Sequence, residues 1–71
     1  MEYSISLTWD EEAQVWVAVN DDIPIALESG SLDALIERVK LAVPEVLALN
    51  KQVPQGDVRL RFKAERLTLA A

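Results

Sequence analysis

Residues 32–47 constrain the chain more than any other stretch. Leu32, Leu35, Ile36, Val39, Ala42, Val43, Val46 and Leu47 recur at the i, i+3, i+4, i+7 spacing, which places them on one face of an α-helix. Ser31 stands just before the first of them and can accept a hydrogen bond from an otherwise unpaired N–H of the first turn. Asp33 adds negative charge at the positive end of the helix. Asn50, followed by Lys51, predicts a left-handed stop at the other end. An apolar stripe this long needs a sheet to cover it, and the flanking segments are the only candidates.

Those segments read as strands. Residues 2–9 alternate strictly, with Tyr3, Ile5, Leu7 and Trp9 on one side and Glu2, Ser4, Ser6 and Thr8 on the other, the pattern of a strand with one wet face. After the polar connection Asp10-Glu11-Glu12-Ala13, residues 14–20 alternate again, Val15, Val17 and Val19 against Gln14, Trp16, Ala18 and Asn20. The two form an antiparallel hairpin. With the valines turned to the helix, Trp16 falls on the opposite face. There it is either a single exposed aromatic, which is common, or the anchor of a self-association surface. Asp21, Asp22, Ile23 and Pro24 make a corner, because Pro fixes its own φ and biases the residue before it towards an extended shape. A short strand near 25–28 follows, and Ser29-Gly30 turns the chain into the helix.

Pro44 cannot donate to the carbonyl of Lys40. The helix therefore kinks there, or ends near Ala42 with Pro44 opening a second turn. Beyond a loop at 51–56, residues 57–64 alternate once more: Val58, Leu60, Phe62 and Ala64 inward, Arg59, Arg61 and Lys63 outward. Residues 65–71 either prolong this strand or fray. The order is β-β-β-α-β, an α+β fold. A meander 3-2-1 is joined by a helix crossing one face, and the fourth strand returns parallel to the first in a four-stranded mixed sheet. A right-handed crossover is the favoured hand.

The expectation is a single domain spanning residues 1–71. A chain this short buries only about 60% of its unfolded surface, and such a core rarely supplies more than ~3–5 kcal/mol. A homo-oligomer, dimer or larger, is therefore expected. The absence of Cys excludes a disulfide framework and thiolate chemistry. No apolar run approaches the ~20 residues of a membrane span, and no basic segment leads into an apolar one at the N-terminus. The expected setting is the cytoplasm, without membrane contact.

Charge is distributed unevenly along a chain of net charge -5. Residues 1–37 hold no Lys or Arg, and all seven basic residues lie from Arg38 onward. Asp10, Glu11, Glu12, Asp21 and Asp22 are the densest part of the acidic half. Such asymmetry can steer a charged partner, or it can reflect nothing more than solvated turns.

Residues 16–50, Trp-Val-Ala-Val-Asn-Asp-Asp-Ile-Pro through the helix to Asn50, resemble the HicB-like antitoxin domains. The likeness is strongest to a branch of small domains without assigned function. The resemblance rests on Trp16-Val17-Ala18, the corner Asp22-Ile23-Pro24, the helix start Ser31-Leu32 with Leu35, and the helix end Val43-Pro44-Glu45 with Leu47 and Asn50. Trp9, Asp10, Glu12 and Ala13 in the first turn belong to the same likeness. It implies a truncated ribonuclease-H-like sheet without the nuclease's active site. It also implies an antitoxin-type protein that binds a small basic ribonuclease toxin and assembles as a dimer or tetramer. Two departures stand out: Ile25 follows the corner proline where that family commonly has Gly, and no DNA-binding segment follows the domain in this sequence.

Catalysis finds few candidates. Without His or Cys the usual general base, thiol nucleophile and most zinc chemistry are absent, and two isolated glycines make no phosphate-cradling loop. The clustered carboxylates could hold Mg²⁺ only if the two loops met. The expectation is no enzyme, no cofactor and no metal. Two functions of different classes follow. One is a protein-binding module whose acidic half meets a basic, toxin-like protein. The other is a nucleic-acid-binding module using Arg59, Arg61 and Lys63, which share one strand face. Net acidity disfavours a polyanion, and the stripe lacks the interleaved aromatics of single-strand binders. The same charges also serve to protect an edge strand from unwanted pairing.

Overall fold

The computed structural model describes residues 1–52 and 56–70. It contains strands β1 (Glu2–Asp10), β2 (Val15–Val19) and β3 (Ala26–Ser29), helix α1 (Leu32–Leu49) and strand β4 (Arg59–Glu65). The sheet order is β3-β2-β1-β4, with β1 antiparallel to β2, β2 antiparallel to β3, and β4 parallel to β1. The fold is α+β, a four-stranded mixed open sheet with one helix, in the order read from the sequence. The expected loop at 51–56 lies partly outside the described residues, and so does the last residue of the expected tail.

Helix α1 forms for the reasons its sequence contains. The Ser31 hydroxyl accepts from the Ala34 N–H at 3.2 Å, and the buried residues Leu35, Val39, Val43 and Leu47 recur every fourth position. Pro44 neither ends nor divides it: α1 is one element through that residue, which is exposed. The stop differs from the expected one by one residue. Asn50 has φ -92°, whereas Lys51 has φ 55°. The Gln52 N–H donates to the Leu47 carbonyl at 2.9 Å and the Lys51 N–H to the Ala48 carbonyl at 3.1 Å. This pairing of 6→1 and 5→2 bonds is the Schellman closure, and it puts the left-handed residue at Lys51.

The inner face of the sheet is set by Ile5 and Leu7 on β1, both buried beneath the helix. Register then corrects the reading of β2. Leu7 lies opposite Ala18 and Trp9 opposite Trp16, and directly opposed residues share a face. Ala18, fully buried, and Trp16, packed against the core, are therefore inward. Val15, Val17 and Val19 point to the outer face, beside Asp10, Thr8 and Ser6. The expected core face of Ile5, Leu7, Val15, Val17, Leu60 and Phe62 loses its two valines and gains Ala18, Trp16 and Leu27. The small methyl of Ala18 lets the helix approach the sheet at the centre of β2, where a bulkier residue would hold the two layers apart.

The corner contributes more core than its sequence suggested. Ile23 and Ile25 are buried on either side of an exposed Pro24, and the Ile25 N–H donates to the Ile23 carbonyl at 2.8 Å. Asn20 holds this corner to β1. Its Nδ2 donates to the Ser4 carbonyl at 2.6 Å, and its Oδ1 accepts from the N–H groups of Asp22 at 2.7 Å and Ile23 at 2.8 Å. Strand β3 consequently starts at Ala26, a residue later than the alternation predicts.

Candidate partner-binding surface

The five acidic residues singled out in the sequence fall at opposite ends of β2. Asp10 ends β1, Glu11 and Glu12 follow it in the β1–β2 connection, and Asp21 and Asp22 belong to the β2–β3 corner. Five strand residues at about 3.3–3.4 Å each separate the two groups by roughly 17 Å. Among the described residues no three carboxylates are close enough together to hold a metal ion.

Within each loop the carboxylates differ in what they do. Asp10 builds the turn: its Oδ1 accepts from the N–H of Glu12 at 3.1 Å and of Ala13 at 3.2 Å, while the Gln14 N–H donates to the Asp10 carbonyl at 2.8 Å. Gln14 closes the turn in the left-handed region, φ 57°. Glu11 accepts from the indole N–H of Trp9. Glu12, Asp21 and Asp22 are exposed, and their carboxylates make no hydrogen bond or ion pair among the described residues. They are the part of the acidic set that the fold does not use.

Trp16 sits in an aromatic cluster on the inner face. Its ring meets that of Trp9 edge-on, with centroids 5.5 Å apart and planes at 65°, and the Arg66 guanidinium lies 4.1 Å above the Trp9 ring. The argument that made Trp16 a self-association anchor, its place on the uncovered face, is thereby removed. The uncovered aliphatic residues there are the valines.

Arg59, Arg61 and Lys63 do share the outer face of β4, as their spacing predicts. Register sets them against Glu2, Ser4 and Ser6, and the Arg61 Nε donates to a Glu2 carboxylate at 3.3 Å. Carboxylates also bracket the row, with Glu65 opposite Thr8 at its far end. The stripe is a mixed-charge surface on an edge strand.

Among the described residues a single helix over a four-stranded mixed sheet defines a small two-layer α+β domain. The chain belongs to a family described as a domain of unknown function (DUF1902), whose model matches residues 2–70. It is similar to hypothetical protein TTHA1013 from the extremely thermophilic bacterium Thermus thermophilus. That crystal structure is 35% identical, with a TM-score of 0.85, over 99% of this chain and 100% of the other. No curated protein matches the chain. No helix among the described residues is long and apolar enough to cross a membrane.

Proposed function

We propose that this domain is a non-enzymatic protein-binding module of HicB-like, antitoxin type. In this reading its acidic loops receive a small basic protein in the cytoplasm. The observation that carries it is the state of Glu12, Asp21 and Asp22, exposed carboxylates that the fold leaves without partners among the described residues. They lie in the half of the chain that holds no Lys or Arg. Support also comes from the corner itself. Asp22-Ile23-Pro24 carries the likeness to HicB-like domains, and Asn20 fixes its backbone through two N–H bonds, so Asp21 and Asp22 are presented on an ordered turn. Ile25, where that family commonly has Gly, turns its side chain into the core and leaves the exposed side of the corner unobstructed. The truncated ribonuclease-H-like relationship belongs to the same reading.

Electrostatic complementarity acts mainly on the association rate and is screened by salt, with a Debye length of about 8 Å at physiological ionic strength. The reading expects a small basic open reading frame beside this gene, and its product is the partner to test. Stopped-flow association should slow as salt rises. Asp21→Lys with Asp22→Lys should slow association more than it speeds dissociation. Tight, salt-sensitive binding to RNA or DNA oligonucleotides, abolished by Arg59→Ala with Arg61→Ala, would replace this reading with the nucleic-acid one.

A further inference from the structure

The sheet has two edges, and they differ in how far they are closed. Strand β3, at one edge, is four residues long. Its Glu28 carbonyl accepts from the Arg38 guanidinium at 3.0 Å, which lays a cationic side chain across that edge and blocks further pairing. Strand β4, at the other edge, is seven residues long. The Arg59 N–H donates to the Met1 carbonyl at 2.8 Å, so in the parallel ladder Arg59, Arg61, Lys63 and Glu65 turn their main-chain groups towards β1. Those of Leu60, Phe62 and Ala64 therefore point away from the sheet. Among the described residues none of them finds a hydrogen-bond partner.

This edge fits a second copy of itself. An antiparallel pair centred on Phe62 sets Phe62 opposite Phe62 and Leu60 opposite Ala64 of the other copy. These are the residues whose main-chain groups are turned outward, so each opposed pair exchanges both of its hydrogen bonds. The same register sets Arg59 against Glu65 of the other copy, and by symmetry Glu65 against Arg59. Neither side chain forms an ion pair within its own molecule among the described residues. Arg61 falls opposite Lys63, and the Glu2 carboxylate that Arg61 meets at 3.3 Å offsets that contact. A slip of two residues one way opposes only like charges, Arg61 to itself and Arg59 to Lys63. The reverse slip leaves Arg59 and Leu60 without a strand residue opposite.

The inner face agrees. Helix α1 runs closest to β3 and β2, and beside β4 it leaves a groove of about 320 Å³ lined by Lys40, Val58, Leu60 and Phe62. A twofold axis normal to the sheet keeps both helices on one side. It also brings the two half-buried Phe62 rings together where the grooves adjoin.

We infer that two copies of this chain pair edge to edge through β4, antiparallel and centred on Phe62, joining their sheets into one. The dimer is closed, because its remaining edges are the β3 strands that Arg38 covers. The inference does not depend on the basic-partner reading, whose Glu12, Asp21 and Asp22 flank β2, across β1 from this edge.

Ala64 is exposed and its N–H points away from β1, so Ala64→Pro removes an interface donor and spares the β1–β4 ladder. Sedimentation velocity at tens of micromolar should show a dimer for the wild type and a monomer for this variant. The near-ultraviolet dichroism of the Trp9–Trp16 pair should be unchanged. Charge reversal tests the register. Arg59→Glu and Glu65→Lys should each lose most of the dimer, since each sets like charges together. Their equimolar mixture should recover it as the heterodimer, read by native mass spectrometry. Where Ala64→Pro loses the dichroism, the charge variants decide alone. A monomeric wild type, a dimer that withstands Ala64→Pro, or charge variants that pair as well alone as mixed would each overturn the inference.

Discussion

Leu35 and Ile36 are neighbours in one apolar stripe, yet only Leu35 is fully buried; Ile36 lies half-exposed at its flank. A side chain at the centre of a packed layer loses transfer energy and leaves a cavity when truncated, whereas one at the flank can be replaced partly by water. Leu35→Ala is therefore expected to cost about 2–5 kcal/mol, and Ile36→Ala clearly less than Leu35→Ala in the same urea titration. Equal losses at the two positions would mean that the helix is rotated from the orientation described. The stripe was legible in the sequence because helical periodicity survives across four turns. The inequality within it was not, because spacing defines a face but not the line along which the sheet touches it.

At the scale of the element, β2 shows where alternation fails as a guide. All five residues, Val15-Trp16-Val17-Ala18-Val19, are apolar, so a period of two selects either set with equal force. The three β-branched valines looked like the core set, and the structure turns them outward. Register decides: β1 has an unambiguous polar side, and pairing Leu7 with Ala18 carries its phase into β2. The consequence is testable at Ala18, which is fully buried between sheet and helix. Ala18→Leu should overpack that layer and destabilise the fold by about 1–3 kcal/mol. Val17→Thr, at a half-buried position on the outer face, should cost clearly less than Ala18→Leu. Chemical denaturation of the two variants reads the difference directly, and the opposite ranking would restore the valines to the core. The helix stop follows the same lesson. The Asn50-Lys51 pair was recognisable as a terminus, but which of the two adopts positive φ depended on the Schellman bonds to Leu47 and Ala48.

At the scale of the whole molecule, the five carboxylates were legible as a set in the sequence. Their separation was foreshadowed as well, since the strand read at 14–20 already stood between the two loops, and β2 occupies that place. What topology does not change is the imbalance. Residues 1–37 carry nine carboxylates without a Lys or Arg, in a chain of net charge -5. Only two ion pairs form among the described residues, Lys40 with Glu37 and Arg61 with Glu2, both on exposed side chains. Pairs of that kind contribute about 0–1 kcal/mol, too little to offset the repulsion that an uncompensated net charge imposes on a compact state. Raising ionic strength from ~0.01 M to ~0.15 M shortens the Debye length from about 30 Å to about 8 Å, which screens that repulsion in the folded domain more than in the expanded chain. The melting temperature should therefore rise with sodium chloride over this range. Asp21→Lys with Asp22→Lys should raise it at low salt and flatten its salt dependence, because two of the uncompensated charges are reversed. The same substitution is expected to slow capture of a basic partner, so stability and association rate should move in opposite directions on one variant. Calorimetry and stopped-flow measurements on that single protein test both, and a melting temperature that falls with salt would show that the acidic half is already balanced within the fold.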